Sequence, residues 1–244
     1  MKVWNFVLKL VYGFFNWFLT NIHGLWILLY MAVYMLGFSI IERAGHVHFH
    51  IIHTWIDDQI PFLEIFIIPY LLWFLFQIVL IAWFVHKAEL REYYRLIAVL
   101  MMGMTLFIVV SMVYPNKLDL RPAFVDTSTF CGRLVGILYE TDTPTNVLPS
   151  IHVYNTLVLC FALTGNERFR RNKAAVIGCD ILGALIVLST MFLKQHSVID
   201  VALGIAAAVA FQMIGDRIFE TDTERSIAEN AVRSRDESPD RVIS

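Results

Sequence analysis

Three short clusters of polar residues interrupt an apolar chain, and each carries side chains suited to phosphate chemistry. The first is Lys117-Leu-Asp-Leu-Arg121-Pro122, the second Pro149-Ser150-Ile151-His152, and the third runs from Ser189-Thr190 through His196 to Asp200. A phosphoryl group in transfer needs cations and donors around its equatorial oxygens, a nucleophile in line and an acid for the leaving oxygen. Arg121 and Lys117 can supply positive charge, and the arginine fork suits two-point contact with phosphate. Ser150 precedes a predicted helix, where a hydroxyl and free backbone N–H groups favour anions. His196 and Asp200 are four apart, which on a helix puts them on one face. A carboxylate there can fix the imidazole tautomer and stabilise the imidazolium. His152 is then left as general acid and base. Singly, each cluster has a plainer reading as an interfacial histidine or a loop anchor; their joint place on one predicted membrane face argues for a site.

The elements that must position them are membrane helices. The 244 residues are 58% hydrophobic and 16% charged, with mean hydropathy +0.64. Soluble domains run at about 45–50% apolar and about 25% charged, so lipid must be part of this chain's solvent. Six apolar runs are spans: Leu25 to Ile41, Ile67 to Val85, Leu96 to Tyr114, Ile151 to Leu163, Ala174 to Leu193, and Val198 to Ile214. Each should be a helix, because lipid tolerates no unsatisfied backbone. The fourth is short, so its helix is expected to extend past Gly165 or begin before Ile151. Residues 1–21 read as an interfacial amphipathic helix, with Lys2, Asn5, Lys9, Asn16 and Thr20 opposite Trp4, Phe14, Trp17 and Phe18. A signal peptide fits less well, because no uninterrupted apolar core or small-residue cleavage site is present. The expected fold is therefore all-α and polytopic: an interfacial helix over 1–21, a six-helix membrane catalytic bundle over 22–216, and a cytoplasmic tail of mixed charge over 217–244, expected to be disordered.

Orientation follows from Lys and Arg in short loops. Lys87, Arg91 and Arg95 mark one loop and Arg168, Arg170, Arg171 and Lys173 another. Both are expected on the cytoplasmic side, with both termini. That puts the three clusters on the extracytoplasmic side, with the plasma membrane as the expected location.

Other features point away from alternatives. A net charge of -2 argues against nucleic acid. Cys131, Cys160 and Cys179 form neither a disulfide framework nor a zinc spacing. His46, His48, His50 and His53 crowd the first outer loop, and on a helix His46, His50 and His53 would share a face; a solvated interfacial loop is the preferred reading over a zinc site. The segment from Ile60 to Tyr70, with Pro61 and Pro69, suggests a re-entrant or interfacial turn. Asp180 lies inside the fifth run, close enough to its cytoplasmic end to snorkel. The loop from Ala123 to Leu148 offers Asp126, Asp142 and several threonines that could position an acceptor.

The clusters resemble the three motifs of the type 2 phosphatidic acid phosphatase superfamily, K-x6-R-P, P-S-G-H and S-R-x5-H-x3-D. The layout matches from about Leu25 to Ile214. The resemblance implies a six-helix core and a metal-free, cofactor-free reaction. It implies that His196 is the nucleophile forming a phosphohistidine, that Asp200 orients it and that His152 protonates the leaving group. Arg121 and Ser150 would bind phosphate, with Lys117 beside them and Ser189 more weakly. Three positions depart from the pattern. Lys117 stands only four residues before Arg121, with Tyr114 at the expected place; Ile151 replaces a glycine; Thr190 replaces an arginine, for which Lys194 is an auxiliary candidate. These departures resemble the inositol phosphorylceramide and sphingomyelin synthase branches.

The expected function is a membrane phosphatase acting on a lipid phosphate or diphosphate. The alternatives are transfer of a phospho-headgroup to a lipid alcohol and a non-catalytic lipid-binding relative. The bilayer and a lipid phosphate are the expected partners; the sequence carries no signal for oligomeric state.

Overall fold

A computed structural model describes residues 23–43 and 48–220. The expected N-terminal amphipathic helix, His46 and the tail beyond Glu220 lie outside the described residues.

The apolar runs close their backbone hydrogen bonds internally, as helices. Helix α1 covers His23–Arg43, α3 Ile67–Lys87, α4 Leu90–Val113, α6 Ile151–Gly165, α8 Lys173–Phe192 and α9 Val198–Ile218, with two short helices, α2 (Trp55–Gln59) and α7 (Glu167–Arg170), and a further one, α5 (Phe130–Thr141). Among the described residues, four helical stretches are long and apolar enough to cross a membrane: Glu64–Lys87, Leu90–Val113, Lys173–Phe192 and Val198–Ile218. Their outer faces stay exposed and apolar, as at Leu75, Ile78 and Val79 on α3 and Leu203, Val209 and Met213 on α9. Those faces have lipid as their natural neighbour. Asp180 is exposed on α8.

Helix α6 differs from expectation: it neither begins before Ile151 nor passes Gly165. Its 15 residues make a rod of about 22 Å at about 1.5 Å per residue, short of a bilayer core of about 30 Å. The reason is that protein, not lipid, surrounds it. It packs against α3, α4, α8 and α9, and Val153, Tyr154, Asn155, Thr156, Val158 and Leu159 are all buried. Both ends are closed by buried side chains. Ser150 caps the start, and Asn166 ends α6 while its Oδ1 accepts from Phe169 N–H to begin α7. Close approach to α6 needs glycine on its neighbours. A Cβ on Gly103 would run into the Tyr154 ring, and one on Gly204 would lie 2.9 Å from the Ser150 carbonyl oxygen. The second contact presses α9 onto the first turn of α6, where Ser150 N–H donates to Asp200 O at 3.1 Å.

Helix α4 begins at Leu90, earlier than the run at Leu96 suggests. Glu89 and Glu92 form a capping box that starts it there, so Arg91 and Arg95 stand on its first turns. At that end a polar cavity of about 920 Å³ gathers residues from the α3–α4, α6–α8 and α9 termini, and Arg95 pairs with Asp216 at 2.8 Å.

The opposite end carries the three clusters under a small polar cap. Strands β1 (His50–Ile51) and β2 (Asn116–Lys117) pair in parallel, with His50 beside Asn116 and Ile51 beside Lys117. The histidine-rich segment is thus strand rather than helix at His50, whose ring stacks on Tyr114 at 4.1 Å. His53 lies between Asp58 and Asp119, at 2.8 and 2.9 Å. The Ile60–Tyr70 segment is a 3-10 turn, Glu64–Phe66, that leads straight into α3. Helix α5 breaks the expected outer loop. Thr129 caps it, accepting from Gly132 N–H and donating to Glu64 Oε1 at 2.8 Å. Its buried Val135 packs with Ile67, Tyr70 and Leu193.

Candidate active site

The loop between α8 and α9 builds the centre of the site. Helix α8 ends in a Schellman motif: Gln195 N–H donates to Thr190 O and Lys194 N–H to Met191 O, both at 2.9 Å. The residue that must turn left-handed is Lys194, at φ 51, a place usually taken by glycine. Its ammonium is clamped by the carbonyls of Asp57 and Ile60, at 2.7 and 2.5 Å. Lys194 is therefore a structural strut rather than a substitute for the missing arginine. His196 N–H also donates to Thr190 O, at 3.0 Å, which aims the imidazole inward.

Helix α9 then begins with a capping box. Ser197 is its N-cap, and Ser197 N–H donates to Asp200 Oδ2 at 2.9 Å. The same oxygen meets His196 Nδ1 at 3.3 Å. His196 and Asp200 do not share a helical face, since His196 stands before the N-cap, two residues ahead of the first helical residue Val198. The spacing works because the capping box folds the carboxylate back over the residue before the cap. Asp200 is fully buried, and its Oδ1 has no partner among the described residues.

His196 Nε2 faces His152 Nδ1 at 3.4 Å. His152 sits on the first turn of α6, with the rings of Trp73 at 4.1 Å and Tyr70 at 4.8 Å against it. Two apolar walls restrict its rotation without occupying its second nitrogen. The result is a carboxylate–imidazole–imidazole row in which one imidazole can attack and the other can move a proton.

Arg121 stands beside this row. Its Nη2 donates to Gln195 Oε1 at 2.7 Å and to Asp142 O at 2.8 Å, its Nη1 to Tyr139 O at 3.2 Å, and its guanidinium lies 4.4 Å above the Tyr139 ring. Its Nε is buried and has no partner among the described residues, a donor left for an anion. The other expected phosphate groups are engaged elsewhere. Ser150 Oγ accepts from Val153 N–H, Ser189 Oγ donates to Ile186 O, and Thr190 Oγ1 donates to Val187 O. Each hydroxyl serves its own helix in this state. Lys117 lies in β2, and among the described residues no hydrogen bond or ion pair links its ammonium to the histidines or Arg121.

A model of the PAP2 superfamily matches residues 36–214. The chain belongs to the PAP2 superfamily. Phosphatase- or phosphotransferase-type chemistry on lipid phosphates is therefore its field of activity. Neither a curated protein nor a solved structure gives a match. The match takes in every cluster of this PAP2 chain, and it also takes in two residues that motif reading passes over. Gln195 ties Arg121 to the α8–α9 loop. Asp57 holds the start of α9: its Oδ2 accepts from Ser197 Oγ at 2.7 Å and its Oδ1 from Val198 N–H at 2.8 Å. Thr54 adds donations from N–H and Oγ1 to Oδ2 at 2.8 and 2.9 Å. Burial alone would push the Asp57 carboxyl up, but these bonds outweigh it and hold the group below its ordinary value. Its one sequence signal is the Thr54-x-x-Asp57 capping-box spacing.

Proposed function

We propose that this PAP2 protein removes phosphate from a lipid in two steps through His196. In the first, His196 Nε2 bonds to phosphorus, the bond from phosphorus to the lipid oxygen breaks, and His152 gives that oxygen a proton. In the second, water attacks phosphorus, His152 takes its proton, and the His196–phosphorus bond breaks. Asp200 stabilises the His196 imidazolium, and Arg121 holds the phosphoryl oxygens. The observation that carries this reading is the buried Asp200–His196–His152 row beside the free Nε of Arg121.

The transferase reading draws support from Thr190. A small neutral side chain, its hydroxyl turned to Val187, leaves space where the family pattern has an arginine. The test is to give purified protein phosphate-labelled lipids with and without diacylglycerol, ceramide or inositol lipids, and to follow the label. Free phosphate is expected; predominant transfer to an added lipid would assign the transferase branch. Turnover is also expected to survive chelator.

The same reading sets the clusters outside the cell, because the basic loops of α3–α4 and α6–α8 lie at the opposite end. Single cysteines at Thr127 and Asn172 are expected to react with impermeant reagent from opposite sides of the membrane. Labelling of both from one side would reverse that topology.

A further inference from the structure

We propose that Gln77, held by Asn155, binds the polar linkage of the lipid substrate, an ester, amide or hydroxyl oxygen a few bonds from its phosphate. The site would then select lipid phosphates that carry such an oxygen over those whose phosphate is joined straight to hydrocarbon. The proposal rests on the reading of the site as a lipid-phosphate centre and names the class of lipid it takes.

Two rungs join α3 to α6. On the upper rung the Trp73 ring lies 4.1 Å from the His152 ring. On the lower rung Asn155 Nδ2 donates to Gln77 Oε1 at 2.9 Å. Gln77 follows Trp73 by four residues and Asn155 follows His152 by three. Both helices start at the catalytic end, and their far ends, at Lys87 and Gly165, line the basic cavity. The lower rung therefore lies about one turn, roughly 5 Å, deeper in the bundle than His152.

Amides inside a span commonly do no more than hold helices together. Two observations separate this pair from that role. The first is that its hydrogen bonding is incomplete. The bond between the two side chains uses one donor and one acceptor. Asn155 is buried and its Oδ1 has no partner among the described residues, and Trp73 Nε1 on the rung above is likewise buried and unmatched. The second is the place of Gln77. Trp73, Phe76 and Leu80 form the buried stripe of α3, while Leu71, Phe74 and Ile78 form an exposed one. Gln77 is half-buried on the border between the two stripes. Its oxygen is turned inward to Asn155, which leaves Nε2 as a donor at the lipid-facing edge of the seam, where no water competes for it.

A lipid whose phosphate lies between His196 and Arg121, with its leaving oxygen at His152, brings its next few atoms to this depth. In phosphatidate those atoms include the glycerol ester oxygens, and in a sphingoid phosphate the amide and hydroxyl oxygens. Each can accept from Gln77 Nε2. A plain alkyl or polyprenyl phosphate puts hydrocarbon there and leaves the amide unmet, and a site built around a donor discriminates against the analogue that lacks the acceptor.

The experiment compares phosphatidate with a branched two-chain alkyl phosphate, a monoester of matched chain length with no backbone oxygen. Both kcat/KM and equilibrium binding of each lipid are measured on purified wild type and on Gln77→Met, which keeps the side-chain length and removes the donor. Wild type is expected to prefer phosphatidate by about tenfold, the scale of one hydrogen bond. Gln77→Met is expected to bring that ratio close to one, mainly through a higher KM for phosphatidate, because the lost contact is remote from the reacting bond. The wild-type comparison stands without any variant. Equal use and equal binding of the two lipids by wild type would overturn the proposal and leave the phosphatase reading standing, as would a preference that Gln77→Met leaves intact. Selective binding of phosphatidate that Gln77→Met abolishes, with no turnover of either lipid, would sustain the linkage site and overturn the phosphatase reading alone.

Discussion

His196→Ala is expected to abolish turnover and to remove any acid-labile phosphoenzyme, a loss of about four orders of magnitude or more. The size follows from the place of the ring. Among the described histidines, His196 is the one whose Nδ1 meets a fully buried carboxylate, at 3.3 Å from Asp200, leaving Nε2 to attack in the proposed reaction. No other described side chain stands ready to replace it, because His152 is wedged between Trp73 and Tyr70. The two histidines are separable by experiment. His152→Ala keeps the nucleophile and loses the proton, so a lipid with a good leaving group should still load the enzyme and leave the phosphoenzyme trapped. Asp200→Asn keeps the shape but offers a donor where Ser197 N–H and His196 Nδ1 need an acceptor. It is expected to lower kcat by on the order of 10³–10⁴. Purified variants assayed for product and for acid-labile label decide this. Wild-type turnover in His196→Ala would sink the two-step mechanism.

What was legible in the sequence was whatever lipid or short-range chemistry enforces. Runs such as Ile67 to Val85 and Val198 to Ile214 could only be helices, and the structure extends them by a few residues to their ends at Lys87 and Ile218. The family resemblance rested on local spacing and is borne out by the match over 36–214. Features that depend on long-range partners were not legible. Helix α5 has an amphipathic pattern of Leu134, Val135 and Leu138, but its reason for forming is the buried contact with α3 and Leu193. The shortness of α6 makes sense only once four helices surround it. At the site, the spacing of His196 and Asp200 was visible while its cause was misjudged, since a capping box rather than a helical face joins them. Lys194 is only an auxiliary candidate by its nearness in sequence to Thr190; its left-handed backbone sends the ammonium to Asp57 and Ile60. Asp57 itself lies far along the chain from Ser197 and Val198, whose donors it accepts.

That distance gives Asp57 its effect. Asp57→Ala is expected to destabilise the protein by about 3 kcal/mol, because a buried carboxylate with several donors is exchanged for a void and Ser197 Oγ, Val198 N–H and Thr54 lose their acceptor. The same change should reduce kcat by on the order of a hundredfold, since a shift of about 1 Å in a catalytic group has that scale of effect. The route is mechanical. Asp57 and Lys194 staple α2 to the α8–α9 loop, and that loop carries His196, Gln195 and the start of α9. Releasing one end frees the nucleophile from Asp200 and Arg121 from its Gln195 anchor together. Asp57→Asn retains one acceptor oxygen and should fall between wild type and Asp57→Ala on both scales. Acid provides an independent check. The Asp57 carboxyl lies below its ordinary value in the folded protein, so its stabilisation is present above the unfolded-state value of about 3.9 and is lost as pH falls through the lower folded value. Thermal unfolding of wild type and Asp57→Ala in the same detergent should therefore differ most near neutrality and converge in strong acid. A constant gap in Tm across that range, or full activity in a destabilised Asp57→Ala, would show that the staple does not position His196.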